Sequence, residues 1–183
     1  MNLRDYERES IRAFVEKAGT LGYLKGRVLD YGCGKQPYRS LVESFGAEYH
    51  GFDRASFPGN VGGVDYGGTD ESVPPIDTIL CTQVLQYIHH PDGLLSRMPR
   101  LFQHLGGYLV MTYPTNWPEV EAEDLHRFTK AGMERLLTEA GFEIVLHQAR
   151  GSVWDPQFET SPMKRVRATG EEFVLGYGCV ARA

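Results

Sequence analysis

One stretch constrains this chain more than any other: Arg27-Val28-Leu29-Asp30-Tyr31-Gly32-Cys33-Gly34-Lys35. Val28 and Leu29 form a short apolar run, and an acid and two glycines follow at once. Gln36-Pro37-Tyr38-Arg39-Ser40-Leu41-Val42 comes next, and proline suits the first turn of a helix. The pattern is a buried strand, a tight glycine turn and a helix. Glycines at such a turn let backbone approach a ligand where a Cβ would collide. The helix start adds unpaired N–H groups and the positive end of a dipole. A turn of this kind suits a nucleotide-like ligand.

Which ligand depends on the spacing. A dinucleotide fingerprint reads G-x-G-x-x-G. Gly32 and Gly34 fit it, but Pro37 stands at the third glycine and offers no N–H. Asp30-Tyr31-Gly32-Cys33-Gly34 instead resembles the first motif of the class I S-adenosylmethionine-dependent methyltransferases, acid-x-Gly-x-Gly-x-Gly, with Gln36 in place of the third glycine. Further along, Glu48-Tyr49-His50-Gly51-Phe52-Asp53 reads as a second strand ending in an acid, about 20 residues after the glycines. A carboxylate at that tip can accept from both hydroxyls of a ribose, adenosyl or dinucleotide alike.

The remaining segments alternate in period. Residues 3–18 read as a helix, with Ile11, Phe14, Val15 and Ala18 at helical spacing and Gly19 and Gly22 after them. Strands are expected at 27–31, 48–53, 61–65, 76–83, 108–114, 142–147 and 172–180, and helices at 37–45, 91–105 and 130–140. Thr129 is a natural N-cap for the last of these. The final strand is expected to run antiparallel at the far side of the sheet. The fold expected is α/β: a single doubly wound, seven-stranded, mostly parallel sheet with one antiparallel strand near the C-terminus and helices on both faces. One methyltransferase-like domain is expected over 1–183, with an N-terminal helix in 1–24, a cofactor-binding core in 25–150, a loop or flap in 151–170 and a last strand in 171–183.

The resemblance covers roughly residues 25–150. It includes Cys33-Gly34 with Pro37-Tyr38-Arg39, and Asp124, Arg127, Phe128, Thr129, Ala140, Gly141 and Phe142. The latter run is similar to a subgroup of the family, the type 11-like enzymes, associated with polysaccharide and small-metabolite modification; Leu125 departs from its aromatic, and Gln86 and Tyr87 stand where the family has Glu and His. The resemblance implies methyl transfer from S-adenosylmethionine to a small-molecule or saccharide-type acceptor. It places the cofactor against Asp30, Tyr31, Gly32, Cys33, Gly34, Asp53, Arg54, Asp65, Tyr66, Cys81, Thr82 and Gln83. Asp65, about twelve residues before Asp77, is the candidate for the adenine amino group, with Asp70 its rival.

The loop after Pro114 lies at the carboxyl end of a strand, where open parallel sheets bind ligands. Tyr113, Asn116 and Arg127 are the acceptor-binding candidates. If acceptor chemistry needs a base, His126 comes first, because a neutral imidazole takes a proton near pH 7, with Asp124 and Tyr113 as alternatives. His89-His90 lacks further ligands at suitable spacing, so no metal is expected. The alternatives are a non-catalytic module that binds the adenosyl cofactor and, opposed by Pro37, an NAD-dependent oxidoreductase.

Composition narrows the partners. The formal net charge is −5, which argues against nonspecific nucleic-acid binding. The basic cluster Lys164-Arg165-Val166-Arg167 reads as a solvated loop. Cys33, Cys81 and Cys179 are odd in number and far apart, which fits a reducing, cytoplasmic setting rather than a disulfide framework. No run approaches the roughly 20 apolar residues that span a bilayer, and no signal peptide is visible. The sequence is silent on oligomeric state.

Overall fold

Alternation along the strands sorts the side chains into two cores, one on each face of a sheet. On one face Val28, Tyr49, Leu80, Val110 and Val180 pack with Ile11, Phe14, Val15 and Ala18 of α1 (Leu3–Thr20) and with Leu41 and Val42 of α2 (Arg39–Ser44). On the other, Leu29, Phe52, Ile79, Leu109, Met111 and Ala181 pack with Leu94, Leu95 and Met98, and with Met133 and Leu137. A strand presents successive residues to opposite faces, so helices on both sides require apolar residues at both parities. Each fully buried Leu, Ile or Met contributes roughly 1.5–3 kcal/mol.

The computed structural model describes residues 3–53, 66–67, 73–118, 123–152 and 174–183. The strands are β1 (Arg27–Tyr31), β2 (Glu48–Asp53), β4 (Thr78–Thr82), β5 (Tyr108–Pro114), β6 (Glu143–Ser152) and β7 (Val174–Arg182), with a two-residue ladder β3 (Tyr66–Gly67). Their order is β3-β2-β1-β4-β5-β7-β6. Neighbours from β3 to β5 pair in parallel; β7 runs antiparallel to both β5 and β6. The order reverses between β1 and β4, which is where ligands enter sheets of this kind. The strand expected at 61–65, Arg54, Asp65, Asp70, the cluster 164–167 and most of 151–170 lie outside the described residues.

Two expectations change. The last strand is not at the far side of the sheet but lies between β5 and β6. Nearly every β7 residue is buried, whereas the β6 residues from 143 to 151 are partly or well exposed, Arg150 excepted. A strand apolar on both faces belongs inside a sheet, and the more polar β6 takes the edge. The helix expected over 91–105 is shorter: α3 is Pro91–Arg97, followed by a 3₁₀ turn at Met98–Leu101. Pro99 has no N–H to give the preceding turn, so the α-helical ladder stops there. The helix α4 (Lys130–Glu139) begins at the predicted cap, where Thr129 Oγ1 accepts from Gly132 N at 3.0 Å.

Candidate functional site

The glycine turn is stitched to the tip of β2. Gly32 N and Cys33 N both donate to Phe52 O, at 2.8 and 3.1 Å, and Gly34 N donates to Asp53 Oδ2 at 2.8 Å. Gly32 has φ +77°, and a Cβ built there would fall 2.4 Å from Val84 Cγ2. Glycine is therefore required at position 32 by the protein's own packing, before any ligand is considered. Tyr31 stacks on Phe52 with ring centroids 4.6 Å apart. The Cys33 side chain is buried over Gly51.

Asp30 and Asp53 end neighbouring parallel strands. Asp30 is 1% exposed; Tyr49 donates its hydroxyl to Oδ2 at 2.5 Å, and Oδ1 has no hydrogen-bond partner among the described residues. Burial, reinforced by the nearby charge of Asp53 and opposed by the Tyr49 hydrogen bond, pushes the Asp30 carboxyl up to about 7. Asp53 is 8% exposed. Tyr66 pairs with Phe52 through the β2–β3 ladder, which brings its backbone beside the same strand tips.

The end of β4 continues this edge. Cys81 turns into the core, where burial pushes its thiol up. Thr82 shares a hydrogen bond with the Tyr38 hydroxyl. Gln83 adopts φ +55°, a left-handed conformation uncommon for a residue with a side chain, and is held by N–H donation to Thr112 O at 3.0 Å. Gln86 is 4% exposed and donates Nε2 to Gln83 O at 3.0 Å. Its carbonyl accepts from Leu125 N and His126 N at 2.8 and 3.2 Å, which docks the 124–128 segment onto the turn.

A cavity of about 190 Å³ opens here. Arg4, Glu7 and Arg8 of α1 line one side, Gln83 and Gln86 the floor, and Trp117 and Asp124 the other side. Glu7 is a residue that the sequence reading missed. Burial raises its carboxyl above the usual range, opposed by Arg150, whose Nη2 lies 3.6 Å from Oε1. Arg150 is 3% exposed and donates to Ser10 Oγ at 2.7 Å.

The acceptor and base candidates separate. Asp124 lines the cavity, gripped by Arg127 through Nη1–Oδ1 and Nη2–Oδ2 bonds of 2.5 and 2.6 Å. Arg127 also donates to Trp117 O, Pro118 O and His126 O, so its five N–H groups are taken within the protein. It clamps the loop after β5 onto the helix approach. His126 lies beside Phe128, ring centroids 5.6 Å apart, and its buried Nε2 has no partner among the described residues. Tyr113 has no exposed surface; its hydroxyl bonds His147 Nε2 at 2.8 Å, and His147 Nδ1 bonds Glu134 Oε1 at 2.9 Å. Asn116 Nδ2 donates to Val174 O at 2.9 Å, tying its loop to β7. Among the described residues no three His, Cys, Asp or Glu side chains are grouped to hold a metal ion.

Comparison with known proteins places this architecture. A family model described as a methyltransferase domain matches residues 3–147. Among solved structures, a SAM-dependent methyltransferase from Archaeoglobus fulgidus superposes with a TM-score of 0.69 at 15% identity, covering 95% of this chain and 94% of that one. The methyltransferase in complex with the Trm112 activator of Haloferax volcanii gives 0.65 at 15% identity, with 100% and 97% covered. Magnesium protoporphyrin IX methyltransferase from Synechocystis, with bound SAH, gives 0.60 at 14% identity, with 100% and 88% covered. No curated protein sequence matches the chain. Since the family model spans α1 through the first half of β6 and includes the glycine turn, both strand-tip acids and the cavity floor, the chain belongs to the class I S-adenosylmethionine-dependent methyltransferases.

Proposed function

We propose that this chain moves the methyl group of S-adenosylmethionine to a small-molecule or saccharide-type acceptor held in the cavity between α1 and the ends of β4 and β5. The observation that carries this reading is the position of the cavity: its floor, Gln83 and Gln86, directly follows β4, beside the point where strand order reverses. We take β3 as the seventh strand of the sheet and the whole of 1–183 as one domain.

The residues present fit the cofactor. S-adenosylmethionine offers donors at its ammonium, ribose hydroxyls and adenine amino group; the tips of β1 and β2 offer the carboxylates Asp30 and Asp53, and Asp30 Oδ1 is a buried acceptor without a partner among the described residues. In our reading Asp53 holds the ribose, with Arg54 and Tyr66 beside it, and Asp65 holds the adenine. The turn Asp30-Tyr31-Gly32-Cys33-Gly34 and the backbone of Cys81, Thr82 and Gln83 hold the methionine end. When bound, the cofactor supplies a methyl group already activated on a sulfonium.

The chain's own residues then bring the acceptor into line and exclude water. Asp124, held by Arg127, orients the acceptor. His126 stands behind the lining. Glu7, whose affinity for protons is raised by burial, is the carboxylate suited to receive an acceptor proton. With a net charge of −5, a small metabolite rather than nucleic acid is the partner that fits.

Thermal melting with S-adenosylmethionine, S-adenosylhomocysteine and NAD tests the cofactor part. Ligand at about 100 times its Kd adds about 2.7 kcal/mol, and about 2–4 °C accompanies each kcal/mol at this size. Stabilisation by NAD only would overturn the reading. Transfer of labelled methyl into a small-metabolite extract, with the heat-killed protein as blank, separates an enzyme from a module that merely binds.

A further inference from the structure

Two features of the cavity define what fills it. The first is charge. Its two carboxylates each have a guanidinium of their own in the protein: Asp124 has Arg127, and Glu7 has Arg150. Arg4 and Arg8, both exposed, remain in the lining; Arg8 also acts on Glu7 through its charge, but neither forms a close ion pair among the described residues. They stand one helical turn apart on the same face of α1, so their like charges repel until an anion comes between them. Paired guanidiniums suit the flat oxygen pairs of carboxylate and phosphate.

The second is an unfilled acceptor. Gln86 Nε2 donates to Gln83 O, and a carbonyl oxygen can only accept, so the amide cannot be turned the other way. That leaves Oε1 as a buried acceptor, and it has no hydrogen-bond partner among the described residues. Buried polar atoms in folded proteins are almost always satisfied, so Oε1 calls for a donor from outside the described residues, and Gln86 lines the cavity through which one would come.

Building on the methyl-transfer reading above, we infer that the acceptor is a small anion that also carries a hydroxyl or amino group: Arg4 and Arg8 hold its carboxylate or phosphate, and Gln86 Oε1 accepts from its O–H or N–H. The cavity of about 190 Å³ matches this class in size. It has room for about six waters at roughly 30 Å³ each, and so for a compound of the order of a hydroxy acid or a short polyol phosphate.

The test uses the full chain saturated with S-adenosylhomocysteine, whose own binding is measured first by calorimetry. Lactate, propionate, propane-1,2-diol and glycerol 3-phosphate are then titrated, following the indole N–H resonance of Trp117. Lactate or glycerol 3-phosphate should bind at least tenfold more tightly than propionate or the diol, and which of the two wins tells carboxylate from phosphate. Arg8→Gln should weaken the winner about tenfold with S-adenosylhomocysteine binding kept, and Gln86→Met, saturated at its own measured S-adenosylhomocysteine affinity because Nε2 also holds Gln83, should bring lactate down to propionate. Equal binding of all four, a diol as tight as the anions, or no probe binding beside normal S-adenosylhomocysteine binding would overturn this inference and leave the transferase reading standing. Failure of S-adenosylhomocysteine itself to bind would remove both.

Discussion

Gly34 gives its backbone N–H to Asp53 Oδ2 at 2.8 Å. The carboxylate proposed for the ribose therefore also closes the turn that follows β1. Asp53→Ala should act twice: an unpaired, partly buried N–H costs about 1–3 kcal/mol of stability, and affinity for S-adenosylhomocysteine should fall about tenfold or more. Asp53→Asn keeps an acceptor oxygen for Gly34 and should recover most of the stability. Melting curves and calorimetry on the two variants check this; an alanine variant as stable as the parent would contradict the turn-closing role.

Gly32 meets two constraints that a substitution can separate. Its φ of +77° disfavours any side chain, and Val84 occupies the space where a Cβ would go. Gly32→Ala should destabilise by about 1–3 kcal/mol. Adding Val84→Ala should relieve the collision and leave the conformational part. Urea unfolding of the single and double variants measures each share, and equal stabilities for both would refute the packing argument.

The buried carboxyl of Asp30 makes stability depend on pH. Its folded value, about 7, lies above the ordinary 3.8, so the folded chain holds this proton more tightly than the unfolded chain. The contribution is fully present below about pH 4 and is lost as pH rises through 7. By linkage its size is roughly 4 kcal/mol at most. Asp30→Asn cannot ionise, so it should gain stability relative to the parent at pH 8 but not at pH 4, and it should bind S-adenosylmethionine more weakly. Guanidinium titrations across this range decide; parallel pH curves for the two proteins would rule the explanation out.

Tyr113, His147 and Glu134 form a chain that runs from the core to the partly exposed Glu134 carboxylate. Glu134 accepts from Nδ1–H, which leaves Nε2 to accept from the Tyr113 hydroxyl, and burial holds the imidazole below its usual pKa and so neutral. Tyr113→Phe should cost about 1 kcal/mol and leave cofactor affinity unchanged. A variant of full stability with altered acceptor use would return Tyr113 to the binding site.

Much of the architecture was readable because its causes are local. β1, β2 and β5 have the bounds that their local patterns predict, and Thr129 caps α4 because a short hydroxyl side chain reaches the N–H three residues on. Pro99 is a local cause too, yet the periodicity of Leu94, Leu95, Met98, Leu101 and Phe102 hid it: all five do join the same core, but across a change from α to 3₁₀ geometry.

The acceptor side was less readable. Nothing near Glu7 in the chain marks it, since its partner Arg150 is 143 residues away. Arg127 looked like a residue free to hold a ligand, and only the folded loop supplies the five acceptors that occupy it.

The order of strands and helices, the glycine turn and the two acids at neighbouring strand tips are all written in the amino-acid order, because periodicity, φ preference and spacing along the chain act over a few residues at a time. Folding itself sets the place of β7 between β5 and β6, the burial of Tyr113 in the core, and which charges share the cavity. Those outcomes follow from burial and charge pairing between segments far apart in the chain, and such partners exist only once the chain has folded.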